Sequence, residues 1–152
     1  MTLVSFTEEL LNAVQPWFQH PEVRRRLGGP EWPERELRTL HTRDVGEFRG
    51  RTVLRTHSYD ASRPDVPVIS AVESGPAMGL AYVVDPTRWR QGIGRAVLQA
   101  VVQHPSVQDV RLFTAGIDAD NEASRRCAAA AGFTAEVEEP DWEDTVYYQL
   151  RR

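Results

Sequence analysis

The sequence contains no lysine; its 18 basic side chains are all arginine. It has a single cysteine, Cys127, which excludes an intrachain disulfide and fits a reducing compartment. No stretch approaches the roughly 18 apolar residues that a membrane-spanning helix needs, and the mean hydropathy is -0.46. The segment from Met1 to Glu9 has neither a basic cluster nor a long apolar run, so it does not read as a secretory signal. A cytoplasmic protein with no membrane attachment is expected. Positive charge is not in excess either: 18 basic residues face 22 acidic ones, and a net charge of -4 gives no global field for nucleic acid or anionic lipid, while mildly favouring a cationic partner. The sequence suggests no metal site.

With 41% hydrophobic and 26% charged residues the composition is that of a globular chain. At 152 residues it can bury about 70% of its unfolded surface around one core, and a single domain over 1–152 is expected. Neither an internal repeat nor a dividing linker is evident.

Leu3 to Phe6 reads as a first strand, and Thr7 as the cap of a helix in which Leu10, Leu11, Val14 and Phe18 recur at helical spacing until Pro16 kinks or breaks it. Gly28-Gly29-Pro30 ends a segment running from Glu22 to Leu27, and Pro33 to Leu40 forms another short helix with Leu37 and Leu40 inward. Arg51 to Tyr59 and Val66 to Glu73 are β-rich. Ser74-Gly75-Pro76 turns the chain into Ala77 to Val84, the return strand of a hairpin. A helix then runs from Gly92 to about Gln103, with Ile93, Val97, Ala100 and Val101 inward. It is followed by a strand at Val110 to Ala115, a helix at Asn121 to Ala131 closed by Gly132, and strands at Phe133 to Val137 and Thr145 to Leu150. Adjacent strands favour antiparallel pairing and the strand-helix-strand passages require parallel crossovers, so the sheet is mixed and covered by helices, an α/β (α+β) fold.

One loop carries chemistry. Trp89-Arg90-Gln91-Gly92-Ile93-Gly94-Arg95 joins a strand end to a helix start, where unpaired N–H groups and the helix dipole favour an anion and glycine lets the main chain approach it. A tight strand-to-helix turn would use the same residues. Val97 stands where a dinucleotide fingerprint needs a third small residue, and no Gly-Lys-Ser/Thr is present for a P-loop.

A second segment follows in order: Asn121-Glu122-Ala123-Ser124, then Ala131-Gly132-Phe133. Val83-Val84-Asp85-Pro86, the loop and this segment together make residues 80–133 resemble the GNAT superfamily of acetyl-CoA-dependent N-acetyltransferases. The resemblance implies a splayed mixed sheet in which Tyr82, Val83 and Val84 pair through their backbone with the pantetheine arm of coenzyme A. Trp89, Arg90, Gln91, Gly92, Ile93, Gly94 and Arg95 would hold the pyrophosphate, while Asn121 and Ser124 would face the cofactor. An extended polyamide can be bound as an added strand, and a pyrophosphate at a helix N-terminus. Two departures stand out: Trp89 replaces the family's Gln or Arg, and Ala128 replaces a frequent Tyr that acts as general acid.

The implied reaction moves an acetyl group from acetyl-CoA to a primary amine of a small molecule or a protein N-terminus by direct transfer. The partners are therefore acetyl-CoA and the amine, with homodimerisation left open. The alternative is a non-catalytic coenzyme A-binding sensor or partner module, for which Ala128 argues. Transfer needs an unprotonated amine and hence a base; Glu73 is the candidate, though it also reads as a solvated strand end, with Asp85 and His57 as weaker ones that also read as a turn acceptor and a strand residue. An N–H near Val83 or Val84 is a candidate oxyanion donor. For acid help Ser124, Cys127, Tyr82 or water remain. Cys127 shares a face of small residues with Ser124, Ala128 and Ala131, which reads as helix packing rather than as a nucleophile. Glu138-Glu139-Pro140-Asp141-Trp142-Glu143-Asp144 is either a solvated hairpin tip or a wall that attracts a cationic amine and stacks it on Trp142.

Overall fold

The computed structural model describes residues 1–3, 6–42 and 67–152, with the side chains at 39–42 and 74 left out. The expected strand at Leu3 to Phe6 loses its centre to this boundary, and the strand at Arg51 to Tyr59, with His57, lies outside the described residues.

Three helices come first. Helix α1 (Glu8–Val14) is capped by Thr7, whose side chain accepts from the Leu10 amide. Pro16 cannot donate to an α-helical ladder, and the chain continues as a 3₁₀ turn over Gln15–Gln19. Helix α2 (Pro21–Leu27) ends at Gly28, whose φ of 75° is left-handed. Helix α3 (Trp32–Thr42) follows. Phe6, Leu10, Val14, Trp17, Phe18, Val23, Trp32 and Leu37 form one apolar cluster with Val68 and Val83 of the sheet, and Ser70 inside the sheet donates to Glu36 of α3 at 2.6 Å.

The sheet has the order β1-β2-β3-β5-β4, built from β1 (Pro67–Ser74), β2 (Ala77–Val84), β3 (Leu112–Asp118), β4 (Thr134–Ala135) and β5 (Thr145–Arg151). All pairs are antiparallel except β2 with β3, which are joined by helix α4 (Ile93–Val102). Helix α5 (Glu122–Ala130) connects β3 to β4. The main core lies between α4, α5 and the sheet, with Leu98, Val97, Val101, Phe113 and Ala128 fully buried. Both faces of β2 are therefore covered: Met78 and Leu80 pack toward α4 and α5, whereas Val83 packs toward the first three helices.

Three expectations are corrected. Leu98 is buried and Ala100 only half-buried, so the inner face of α4 is rotated slightly. Val110 is buried in the turn before β3, its amide bonded to Val107, and the strand begins at Leu112 instead. Phe133 closes α5, donating its amide to the Ala128 carbonyl, which shortens the next strand to Thr134–Ala135.

Candidate active site

Strands β2 and β3 pair at only three positions, from Ala77 with Leu112 to Gly79 with Thr114. Beyond these they diverge. Residues Leu80 to Val84 keep β1 on one side, and Ala115 to Asp118 keep β5. A wedge-shaped cleft thus opens toward the carboxyl ends of two parallel strands, where α4 and α5 both begin; this is the usual location of ligand sites in such sheets.

The loop at the β2 end is fixed by local bonds. Asp85 Oδ1 accepts from the Thr87 amide and hydroxyl, both at 2.9 Å, and Arg88 donates twice to Gln91 Oε1 at 3.2 Å. Arg90 and Gly92 are both left-handed, with φ of 64° and 77°. The first helical bond runs from the Ala96 amide to the Gly92 carbonyl at 3.0 Å, so the amides of Gly92, Ile93, Gly94 and Arg95 precede the ladder as N-terminal donors.

The two glycines have different reasons. A Cβ on Gly92 would meet nothing within 4 Å, so the open space over the helix start is real and glycine is required by φ. A Cβ on Gly94 would lie 3.0 Å from Cys127 Sγ and 3.2 Å from Tyr82 Cε2, so this glycine lets α4 approach its neighbours. Ile93 is buried against Val84, leaving its backbone as the part available to a ligand, whereas the Arg90, Gln91 and Arg95 side chains are exposed. Trp89 turns back onto the strand. Its indole N–H donates to the Val84 carbonyl at 3.0 Å and its ring meets His20 edge-on at 4.8 Å, leaving it 42% exposed.

Across the cleft, Asn121 caps α5 by accepting from the Ser124 amide at 3.3 Å. Ser124 Oγ in turn lies 2.9 Å from the Tyr82 hydroxyl. Burial holds the Tyr82 phenol well above its ordinary ionisation range; Cys127 adds to the shift and the Ser124 bond opposes it. Tyr82 and Ser124 were legible separately, but 42 residues separate them in the chain, and nothing local signals that they meet.

Residues missed in the sequence tie the first helices to the cleft. Arg26 of α2 donates to Asp118 at 2.8 Å and to Asp120 at 2.5 Å, at the end of β3. Its side chain is 17% exposed. Desolvation works against the charged guanidinium, but the two carboxylates outweigh it and stabilise the charge. The same bond holds the Asp120 carboxyl below the usual carboxylate range. The acidic segment also reaches this mouth, for the Asp144 carbonyl accepts from the Ala119 amide at 2.7 Å. Asp141 Oδ1 organises that loop by accepting from the Glu143 and Thr145 amides, while Trp142 is 89% exposed, its indole offering a free face. Glu73 is opposite Met78 on β1, at the closed end of the cleft and one strand away from it. Asp85 is engaged as the Thr87 acceptor. Among the described residues there is no cluster of potential metal ligands and no helix long and apolar enough to cross a membrane.

Comparison with known proteins agrees with this geometry. The family described as Acetyltransferase (GNAT) domain matches residues 1–134. The chain is 33% identical over 149 residues to an uncharacterized N-acetyltransferase of Bacillus subtilis strain 168, YfmK, covering 95% of this chain and 92% of that one. Among solved structures it resembles an aminoglycoside acetyltransferase, AAC(6')-Ib, in complex with coenzyme A, with a TM-score of 0.74 at 15% identity, covering 99% and 94% of the two chains. It also resembles the spermidine N-acetyltransferase of Vibrio cholerae in complex with coenzyme A and spermine, with a TM-score of 0.77 at 11% identity and the same coverage. At these identities the two structures establish the fold.

Proposed function

The chain belongs to the GNAT acetyltransferase family, an acetyl-CoA-dependent acyltransferase, and on that footing we propose that it transfers the acetyl group directly to a primary amine of a small molecule or a protein N-terminus. The observation that carries the reading is the juxtaposition of the amide-lined start of α4 with the diverging edge of β2.

The cradle fits the cosubstrate. Donors at Gly92 to Arg95, with room above Gly92, suit a pyrophosphate; Arg90 and Arg95 add charge beside it, and Trp89 and Gln91 shape the loop. The edge of Tyr82 and Val83 suits an extended amide arm, as does Val84 through the backbone groups that Trp89 leaves it, with Asn121 and Ser124 facing the arm from α5. When bound, acetyl-CoA supplies the activated acyl group. The chain's own residues orient it, exclude water and accept the amine. Glu73 is the proposed base; it stands on β1 opposite Met78, one strand from the cleft, so the amine's proton would have to reach it through a relay. Trp142 and the acids around it, with Asp144 bonded at the cleft mouth, favour a cationic amine. On this reading the protein is a cytoplasmic enzyme with one domain over 1–152, working without nucleic acid or membrane.

An amine panel that includes polyamines, aminoglycosides and N-terminal peptides, read as thiol release from acetyl-CoA, tests the proposal. Turnover on one class identifies the acceptor; binding of acetyl-CoA without turnover on any amine would leave a coenzyme A sensor instead. Cys127→Ala is expected to retain most activity, since Cys127 packs against Gly94 and Tyr82 and direct transfer needs no acyl-enzyme.

A further inference from the structure

Where an amine can enter follows from which face of the cleft is filled. An acyl arm that starts at the α4 amides and runs down the free edge of β2 ends where β2 and β3 close, at Gly79 and Thr114. The first residues beyond that pair are Leu80 and Ala81 on β2, and Ala115 and Gly116 on β3. Leu80 and Ala115 are buried in the core under α4 and α5. Side chains alternate along a strand, so Ala81 and Gly116 face the first three helices instead; there Ala81 is half-buried and Gly116 exposed. At the depth of the thioester, the α1–α3 side is the one by which an acceptor can approach. Ala81 and Gly116 belong to one row across the sheet, for Ser70 is opposite Ala81 and Tyr147 opposite Gly116. Ser70, 3% exposed, donates at 2.6 Å to Glu36 of α3 and so fixes that carboxylate over β1, one strand spacing of about 4.8 Å from Ala81. At the other end of the row the Tyr147 ring leans over Gly116: a Cβ on that glycine would lie 3.1 Å from Tyr147 Cε1. A carboxylate bounds the approach on one side and an aromatic ring on the other, with a methyl group and bare backbone as its floor.

Resting on the function proposed above, we propose that the acceptor is an amine carried on a methylene group, which enters on the α1–α3 face between Glu36 and Tyr147. Glu36 accepts a hydrogen bond from the amine and turns its nitrogen toward the acetyl carbon; Ser70 is the positioning residue that holds Glu36 in place. Tyr147 is the specificity-determining wall, against which the first carbons of the acceptor lie. A hydrogen bond to a carboxylate is stronger than one between neutral groups, and an aromatic face suits the stem of a cationic amine. A methyl branch on the amine-bearing carbon has to fit between the Tyr147 ring and Ala81, which the lean of the ring over Gly116 narrows. The acceptor classes are thereby separated: the terminal amines of polyamines and aminomethyl groups fit, and protein N-termini other than glycine fit poorly.

Two probes test this with acetyl-CoA: putrescine for kinetics, and α-methylputrescine, with one amine on a methylene and one on a methyl-branched carbon, for the site of acetylation. The parent should turn over putrescine and should acetylate α-methylputrescine at the methylene nitrogen by at least about tenfold over the other. Tyr147→Ala should bring that product ratio down toward the bias of the uncatalysed reaction. Glu36→Gln should raise the putrescine KM about tenfold, the size of one hydrogen bond to a charged group, and Ser70→Ala should raise it less. Both should leave the acetyl-CoA KM unchanged, which also reports a folded site. Glu34→Gln, on the same helix but exposed and bonded to Gln15, should change neither KM. Calorimetric titration of putrescine into the protein–coenzyme A complex should show the same losses without turnover. A putrescine KM that survives Glu36→Gln, or a product ratio that survives Tyr147→Ala, overturns the inference while leaving the acetyltransferase reading intact. So does a parent that turns over other amines but not putrescine. Coenzyme A binding without turnover of any amine overturns both. Because the parent's own product ratio is part of the test, poor folding of a variant does not shield the idea.

Discussion

The two sides of the cleft are built on different principles. On the side of the β2–α4 loop, the groups the cleft offers are backbone: four amides ahead of a helical ladder, a glycine at φ 77°, and a strand edge released after three paired positions. On the opposite side the working groups are charges on side chains brought from distant segments, Arg26 against Asp118 and Asp120, and an acidic loop tied to Ala119. Backbone donors are fixed by covalent geometry and suit a ligand common to a whole family. Charged side chains depend on the packing that brings those segments together, and on the function proposed above they would act on the amine rather than on the cosubstrate.

The sharpest way to break this contrast is at Gly92. Gly92→Glu places a side chain in left-handed backbone, at about 1–2 kcal/mol, and a negative charge where the proposed pyrophosphate site lies. Acetyl-CoA affinity is expected to fall at least about 100-fold, equivalent to roughly 2.7 kcal/mol, with the amine side unchanged. Calorimetric titration of the folded variant checks this; near-parental affinity would move the cofactor away from the loop. Gly92→Ala separates the terms, because it keeps the strain and omits the charge.

Gly94 tests packing rather than ligand contact. Gly94→Ala presses a methyl against Cys127 Sγ and Tyr82 at 3.0 and 3.2 Å, and a destabilisation of about 1–3 kcal/mol is expected from overpacking. Adding Cys127→Ala removes the closer contact and should recover part of the loss in denaturant unfolding. No recovery would mean that the strain resides at Tyr82.

On the charged side the expected effects are smaller and depend on pH and salt. Asp120 has a depressed folded pKa because Arg26 stabilises its carboxylate. The contribution is therefore complete above the ordinary carboxylate value of about 3.9 and disappears as pH falls through the lower folded value. The melting temperature of Asp120→Asn should lie below that of the parent at neutral pH, and the two should converge in acid. A gap that persists in acid would assign the loss to packing. Arg26→Ala should raise the amine KM several-fold while leaving the acetyl-CoA KM in place, since Arg26 itself bonds to Asp118 and Asp120 at the mouth and not to the loop.

The smallest effect is expected from the acidic loop. Neutralising Glu138, Glu139, Asp141 and Glu143 should raise the amine KM about two- to threefold at low salt, with the difference vanishing as the Debye length shrinks from about 10 Å at 0.1 M to 3 Å at 1 M. Equal amine KM values across that range would reduce Trp142 and its neighbours to a solvated tip.

Much was legible in the sequence because it was local. Thr7 before a helical repeat, Pro16 inside it, Gly28 and Gly132 after helices, and Gly92 before one each specify a backbone event within a few residues, and each occurs where expected. One error, the face of α4, lay inside a regular element; the other two arose where a buried apolar residue was not in one. Val110 and Phe133 look like strand residues in sequence, but one fills a turn and the other closes a helix.

The sequence by itself therefore determined the order of the described helices and strands from α1 onward and the mixed character of the sheet, because turns, caps and periodicity act over one or two turns of chain, whereas only one of its two strand-helix-strand passages makes a parallel pair: β5 inserts between β3 and β4, antiparallel to both. Only the tertiary structure decided that β2 and β3 part after Gly79, that Tyr82 meets Ser124, and that Arg26 bridges to Asp118 and Asp120. These are contacts between segments tens of residues apart, and their partners are selected by the packing of two cores on opposite faces of one sheet, which no local pattern encodes.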